Sequence, residues 1–217
     1  MLRLYPFLAC LLLWACQSNT TQSSPVVVSI DTVKKEVPAP ADTIAVSAKP
    51  VDKRGLALSS NALMLINTNS GSTTEIVFGM EQGKLVQLIN KTLELQNKTI
   101  TENRECGAGV LQFAEWPNGL VLVFDEDKKK TTTENKVWKF AGWHINSRTA
   151  NTESLKTMAN VGLGTSKSEL ELAYTVTYQK TSLGQEFSTS AGLYGIISEG
   201  KDGKVTEFWS GANCIFR

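Results

Sequence analysis

Two apolar stretches on either side of Pro117-Asn118-Gly119 set the pattern of the C-terminal part of this chain. Residues 110–116 (VLQFAEW) alternate loosely between apolar and polar, and residues 120–124 (LVLVF) are apolar throughout. Pro-Asn-Gly between such runs is a hairpin turn, because Pro fixes φ and Asn-Gly accepts positive φ. The two runs are expected to pair as antiparallel strands, with residues 136–145 (KVWKFAGWHI) as a third strand interrupted at Gly142. Further on, residues 191–197 and 205–211 flank Asp202-Gly203, which predicts another hairpin.

Elsewhere the apolar period lengthens from two to 3.6. Within residues 78–93, Leu85, Leu88, Ile89 and Thr92 fall on one helical face. Within residues 163–175, Leu170, Ala173 and Tyr174 do the same, with Ser166 and Glu169 in capping-box spacing. Each stretch begins after a glycine, Gly79 or Gly164, and each precedes predicted strands. Superposing the glycines places Leu85 on Leu170 and Ile89 on Tyr174, as in a degenerate tandem repeat. The expected fold class is α+β: two related halves, about 55–150 and 151–217, each a short helix packed on a small antiparallel sheet. The helix entry, Gly-Met/Thr followed by Lys/Glu-Leu, and the strands after it resemble the small α+β repeat of outer-membrane assembly lipoproteins and β-lactamase inhibitory proteins. The resemblance spans residues 75–214 and implies a binding scaffold without catalytic residues; no motif residue carries over.

The start of the chain follows neither period. Arg3 is followed by an uncharged, mostly apolar run to Ala15. That run is shorter than the roughly 20 residues that cross a bilayer and contains Pro6, so residues 1–15 are read as a signal peptide absent from the mature protein. At its end, Leu13-Trp14-Ala15-Cys16 resembles the lipobox of bacterial lipoproteins, which implies that Cys16 is acylated and becomes the first mature residue. Trp14 departs from the small residue usual there. A rival box, Phe7-Leu8-Ala9-Cys10, would leave Leu11 to Trp14 exposed on the mature side. Each buried acyl methylene contributes about 0.8 kcal/mol, so several chains on Cys16 hold a protein stably at a bilayer. Gln17 is not the acidic residue that retains enteric lipoproteins at the inner membrane. The expected location is therefore the cell envelope, at the outer membrane, with the domain in the periplasm or at the cell surface.

Between this anchor and the periodic region, residues 17–54 contain no aromatic residue and no glycine but four of the six prolines. Such a composition offers too little apolar surface to offset chain entropy. Residues 16–54 are read as the lipidated cysteine and a disordered tether. A flexible chain of this length separates anchor and domain by about 30 to 40 Å. Residues 55–217 form the globular part.

Charge and motifs narrow the function by exclusion. The 22 Lys and Arg against 21 Asp and Glu leave no basic excess of the kind nucleic-acid binders carry. One histidine and two distant cysteines give no zinc-ligand spacing, and residues 162–169 (GLGTSKSE) lack the Gly-Lys-Ser/Thr ending of a phosphate loop. No metal or other cofactor is expected. Cys106 and Cys214, the cysteines beyond the leader and the acylated Cys16, are expected to form a disulfide in an exported protein. The alternative makes Cys106 the nucleophile of a thiol hydrolase acting on cell-wall peptides, with His144 as its base. Such a pair must meet within hydrogen-bond reach. The carboxylates Glu75, Glu105, Asp125 and Glu207 lie on or beside predicted strands and read as solvated. Trp116, Trp138, Trp143 and Trp209 read first as core and second as binding anchors. The leading expectation is a non-enzymatic binding or assembly module, with the membrane and an envelope protein or cell-wall component as partners.

Overall fold

The structure, a computed structural model, describes residues 54–132 and 134–214. The expected signal peptide, Cys16 and all of the expected tether before Arg54 lie outside the described residues. The chain opens with a three-stranded antiparallel meander: β1 (Arg54–Leu58), β2 (Ala62–Asn67) and β3 (Thr73–Val77). Leu58, Leu63, Leu65 and Ile76 are buried, because the alternation of β-strand side chains puts them on one face.

Helix α1 (Gln82–Leu93) follows. It buries Leu85, Val86, Ile89 and Thr92, the stripe that a 3.6-residue period requires. It stops at Glu94, whose φ of 54° is left-handed. Then come β4 (Thr101–Asn103), β5 (Leu111–Glu115), β6 (Leu120–Glu126) and β7 (Trp138–Ile145). Helix α2 (Lys167–Ala173) is only seven residues long and buries Leu170 alone. Its Ser166 and Glu169 close the capping box that their spacing predicts. After it run β8 (Val176–Thr181), β9 (Gly184–Thr189), β10 (Tyr194–Ile197) and β11 (Val205–Gly211).

The eight later strands form one antiparallel sheet in the order β4-β5-β6-β7-β11-β10-β9-β8. Two meanders join where β7 meets β11, with Ile145 opposite Phe208, His144 opposite Trp209 and Trp143 opposite Ser210. One face of this sheet carries Ala114, Trp116, Leu120, Leu122, Phe124, Trp143, Ile145, Phe187 and Phe208 into the core, together with residues of β1–β3, α1 and Leu170 of α2. Polar clasps fix that packing. The Trp143 indole donates to the Ser59 carbonyl at 2.7 Å, the Ser210 hydroxyl donates to the Gly192 carbonyl at 2.9 Å, and the Trp116 indole donates to Asn90 Oδ1 at 2.8 Å.

These findings correct the α+β expectation of two halves, each a short helix on its own small sheet. The described residues hold eleven strands against two helices, in two antiparallel sheets of three and eight strands. The architecture looks like a β-sandwich. The physical reason lies in two places. The apolar residues between Ala57 and Ile76 build a sheet of their own that shares the core. The β7–β11 ladder pairs residues some sixty positions apart, so the strands of the supposed halves are continuous.

Individual elements read from the pattern fare better. The Pro117-Asn118-Gly119 hairpin joins β5 to β6. The interruption expected at Gly142 is a register shift where Val123 faces Gly142 but Phe124 faces Phe140. Gly142 is required there, since a Cβ would strike the backbone of Ala212 and Ser210.

Candidate functional site

The face of the large sheet turned away from the core is the candidate site. Register identifies its members, because residues directly opposite on neighbouring strands share a face. One row runs Glu115, Val121, His144, Trp209, Tyr194, Ser188 and Thr177, crossing seven strands from β5 to β8. A second row runs Glu207, Ile196, Glu186 and Gln179, crossing β11, β10, β9 and β8. Phe113 stands two residues before Glu115 on β5, on the same face. Tyr194, Thr177 and Gln179 are exposed, whereas Phe113, Glu115, His144, Ser188, Ile196 and Glu207 are half-buried.

Aromatic groups order the middle of the face. The Tyr194 and Trp209 rings lie nearly parallel, at 18°, with centroids 6.4 Å apart. The Phe113 ring meets the His144 imidazole edge-on at 6.2 Å. Tyr194 is 42% exposed and overlies Trp209, which is 7% exposed. His144 Nδ1 is enclosed and has no hydrogen-bond partner. Burial pushes the imidazole pKa down to about 4, against a weaker upward pull from the Glu115 carboxylate. His144 is therefore neutral at physiological pH. The same Glu115 Oε1 accepts from Lys98 Nζ at 3.1 Å and from Asn146 Nδ2 at 3.0 Å.

Cys106 and Cys214 stand at disulfide distance, with Cα atoms 5.2 Å apart. They sit at one end of the open face, packed with Leu111, Val123 and Phe113. In that state Cys106 has no thiolate to serve as a nucleophile, and His144 Nδ1 meets no partner. The four carboxylates singled out in the sequence fall on separate elements. Glu75 is on β3, Glu105 follows β4, Asp125 is near the end of β6, and Glu207 is on β11. Among the described residues no group of three or more His, Cys, Asp and Glu is placed to hold a metal ion. No described helix is long and apolar enough to cross a membrane.

The tryptophans divide. Trp116, Trp138 and Trp143 are core, while Trp209 belongs to the open face. Phe113, Tyr194, Ile196 and Glu186 escaped the sequence reading. A signal for Tyr194 and Ile196 is present in the alternation of 194, 196, 207 and 209 along two strands. What makes them one surface is the long-range register, which no local pattern carries.

No family model matches the chain, no curated protein matches it in sequence, and no solved structure matches its fold.

Proposed function

We propose that this chain is a non-catalytic binding module of the cell envelope, fastened through acyl chains on Cys16, that holds a partner against the open face of its large sheet. One observation carries this reading. The sheet buries one face in the core, yet on its other face the exposed Tyr194 stands over Trp209 in the register row of His144, flanked by the half-buried Phe113 and Ile196. Apolar and aromatic side chains gathered on a solvent-facing sheet, with Tyr and Trp at the centre, match the residue types that anchor interfaces. The Cys106–Cys214 pairing, which leaves no free thiol beside His144, weighs against the hydrolase alternative. A tether of the predicted length lets the face work some distance from the headgroups.

The test uses the full-length protein purified from its own envelope. A mass that fits residues 16–217 plus acyl chains, with a co-purifying component lost from the Tyr194→Ser variant, supports the proposal. An unacylated mass overturns the anchoring. Recovery unchanged by Tyr194→Ser overturns the assignment of the face.

A further inference from the structure

We infer that Cys106 and Cys214 form a redox-operated clasp. Joined, they hold two short segments over a small apolar cluster on the outer face of the large sheet; reduced by a dithiol, they release that cover while the sheet stays folded. The cluster is separate from the main core. Cys106, Leu111 and Val123 are buried in it, with Phe113, Ala212 and Cys214 packed against them, and none of the three buried residues belongs to the core on the other face. Register turns its sheet residues outward: Phe113 faces Val123 across β5 and β6, and Leu111 stands two residues before Phe113.

Each covering segment has a single anchor. From Arg104 to Gly109 the link between β4 and β5 is exposed at every position except Cys106, which is 6% exposed. The other segment begins where β11 ends. It can approach β7 closely because Gly142 carries no side chain, and a Cβ there would strike the Ala212 backbone. The Ala212 amide donates to the Ala141 carbonyl at 2.8 Å. Beyond that bond, the links from residues 213 and 214 to the rest of the described domain run through sulfur. One is the bridge to Cys106, and the other is Asn103 Nδ2 donating to Cys214 Sγ at 3.6 Å.

Cys106 and Cys214 therefore anchor their segments through each other. With the bridge gone, both segments keep few buried contacts and open at low cost. The strands beneath are joined by their own ladders, which need no help from the bridge. Phe113 also meets the His144 imidazole edge-on at 6.2 Å, so opening the cover reaches the middle of the outer face.

The exchange balances. Cys214 is half-buried and Cys106 buried, so the thiolate of the dithiol attacks Cys214 Sγ. The protein S–S bond breaks, and Cys106 leaves as a thiolate that takes a proton from water. The second thiol of the reagent, losing its proton, attacks the reagent's own sulfur in the mixed disulfide and frees Cys214. The dithiol is oxidised to a disulfide by the two electrons that reduce the protein.

The experiment treats the full-length protein with dithiothreitol without denaturant. It reads the iodoacetamide labelling rate of Cys106, amide exchange at Ala212, and the near-ultraviolet dichroism of the tryptophans. The expected result is Cys106 labelling within about tenfold of its rate in urea, loss of protection at Ala212, and unchanged dichroism. Cys214→Ser, with no reductant, should behave as the reduced chain does. Labelling slowed a hundredfold or more relative to urea, with Ala212 still protected, overturns the inference, because the cover then stays shut without the bridge. Collapse of the dichroism in both the reduced chain and Cys214→Ser also overturns it and makes the bridge a staple of the whole domain. A bridge that dithiothreitol does not reduce without denaturant overturns it as well.

Discussion

Acidification from pH 7 to pH 5 should destabilise the folded domain through one side chain. His144 titrates near 6.5 when solvated, and burial lowers it to about 4 in the folded chain. Its folded pKa lies below its unfolded one, so the stability it contributes is fully present above about 6.5. That contribution is lost as the pH falls, because the unfolded chain takes up a proton that the folded one refuses. The loss ends near pH 4, where the folded state protonates as well. Each pH unit in that window is worth about 1.4 kcal/mol, so the whole span amounts to about 3 kcal/mol, with about 2 kcal/mol gone by pH 5. That is a sizeable part of the 5–15 kcal/mol typical of a domain. The carboxyls of Glu102, Asp127 and Glu169 are held below their ordinary values, chiefly by hydrogen bonds from Arg104, Lys139 and Ser166 respectively. Their contributions are present above their unfolded values and fade only below about pH 4.5, outside the range from 6.5 to 5. Urea unfolding at pH 7, 6 and 5 measures the effect, and the imidazole resonance of the only histidine in the chain reports the titration directly. In His144→Gln the stability should be nearly flat over this range. A wild-type curve flat between pH 7 and 5, or a variant that declines just as steeply, would refute the reasoning.

Further perturbations probe the packing that positions the face. Gly195→Ala sets a Cβ against the Phe187 ring and the Glu207 carbonyl; the expected cost is about 1–3 kcal/mol, read by thermal unfolding, and no change would mean that Phe187 does not lie over β10. Replacing Cys106 and Cys214 together by alanine opens a closure of 108 residues, which should cost up to about 4–5 kcal/mol by chain entropy, measured by denaturant midpoint. Ser166→Ala removes the capping box of α2 and should cost about 1 kcal/mol; because α2 has a single buried anchor, hydrogen exchange should rise first in residues 167–173.

Local signals were legible where the physics is local. The Pro117-Asn118-Gly119 turn, the stripe of Leu85 and Ile89, and the pairing of Ser166 with Glu169 each depend on neighbours within four residues, and each appears in the fold. Nothing local marks the first sheet: β1 and β2 join through Ser59-Ser60-Asn61, which lacks the glycine or proline of a hairpin signal, and the compositional break falls at Arg54, the first residue of β1. The union of β7 with β11 depends on residues such as His144 and Trp209, far apart in sequence. The row from Glu115 to Thr177 exists only after that union forms. For the same reason Tyr194 reads in sequence as an ordinary strand residue, and the thiol chemistry that the sequence allows for Cys106 and His144 meets a Cys106 that faces Cys214.

The most direct test of the central claim places a photo-cross-linking residue at position 194 or at position 172 of the full-length protein in its native cells. Leu172 is 88% exposed and sits on α2, on the core side of the large sheet. The account predicts a discrete adduct from position 194 and none from position 172. An adduct from position 172 with none from position 194 would contradict it.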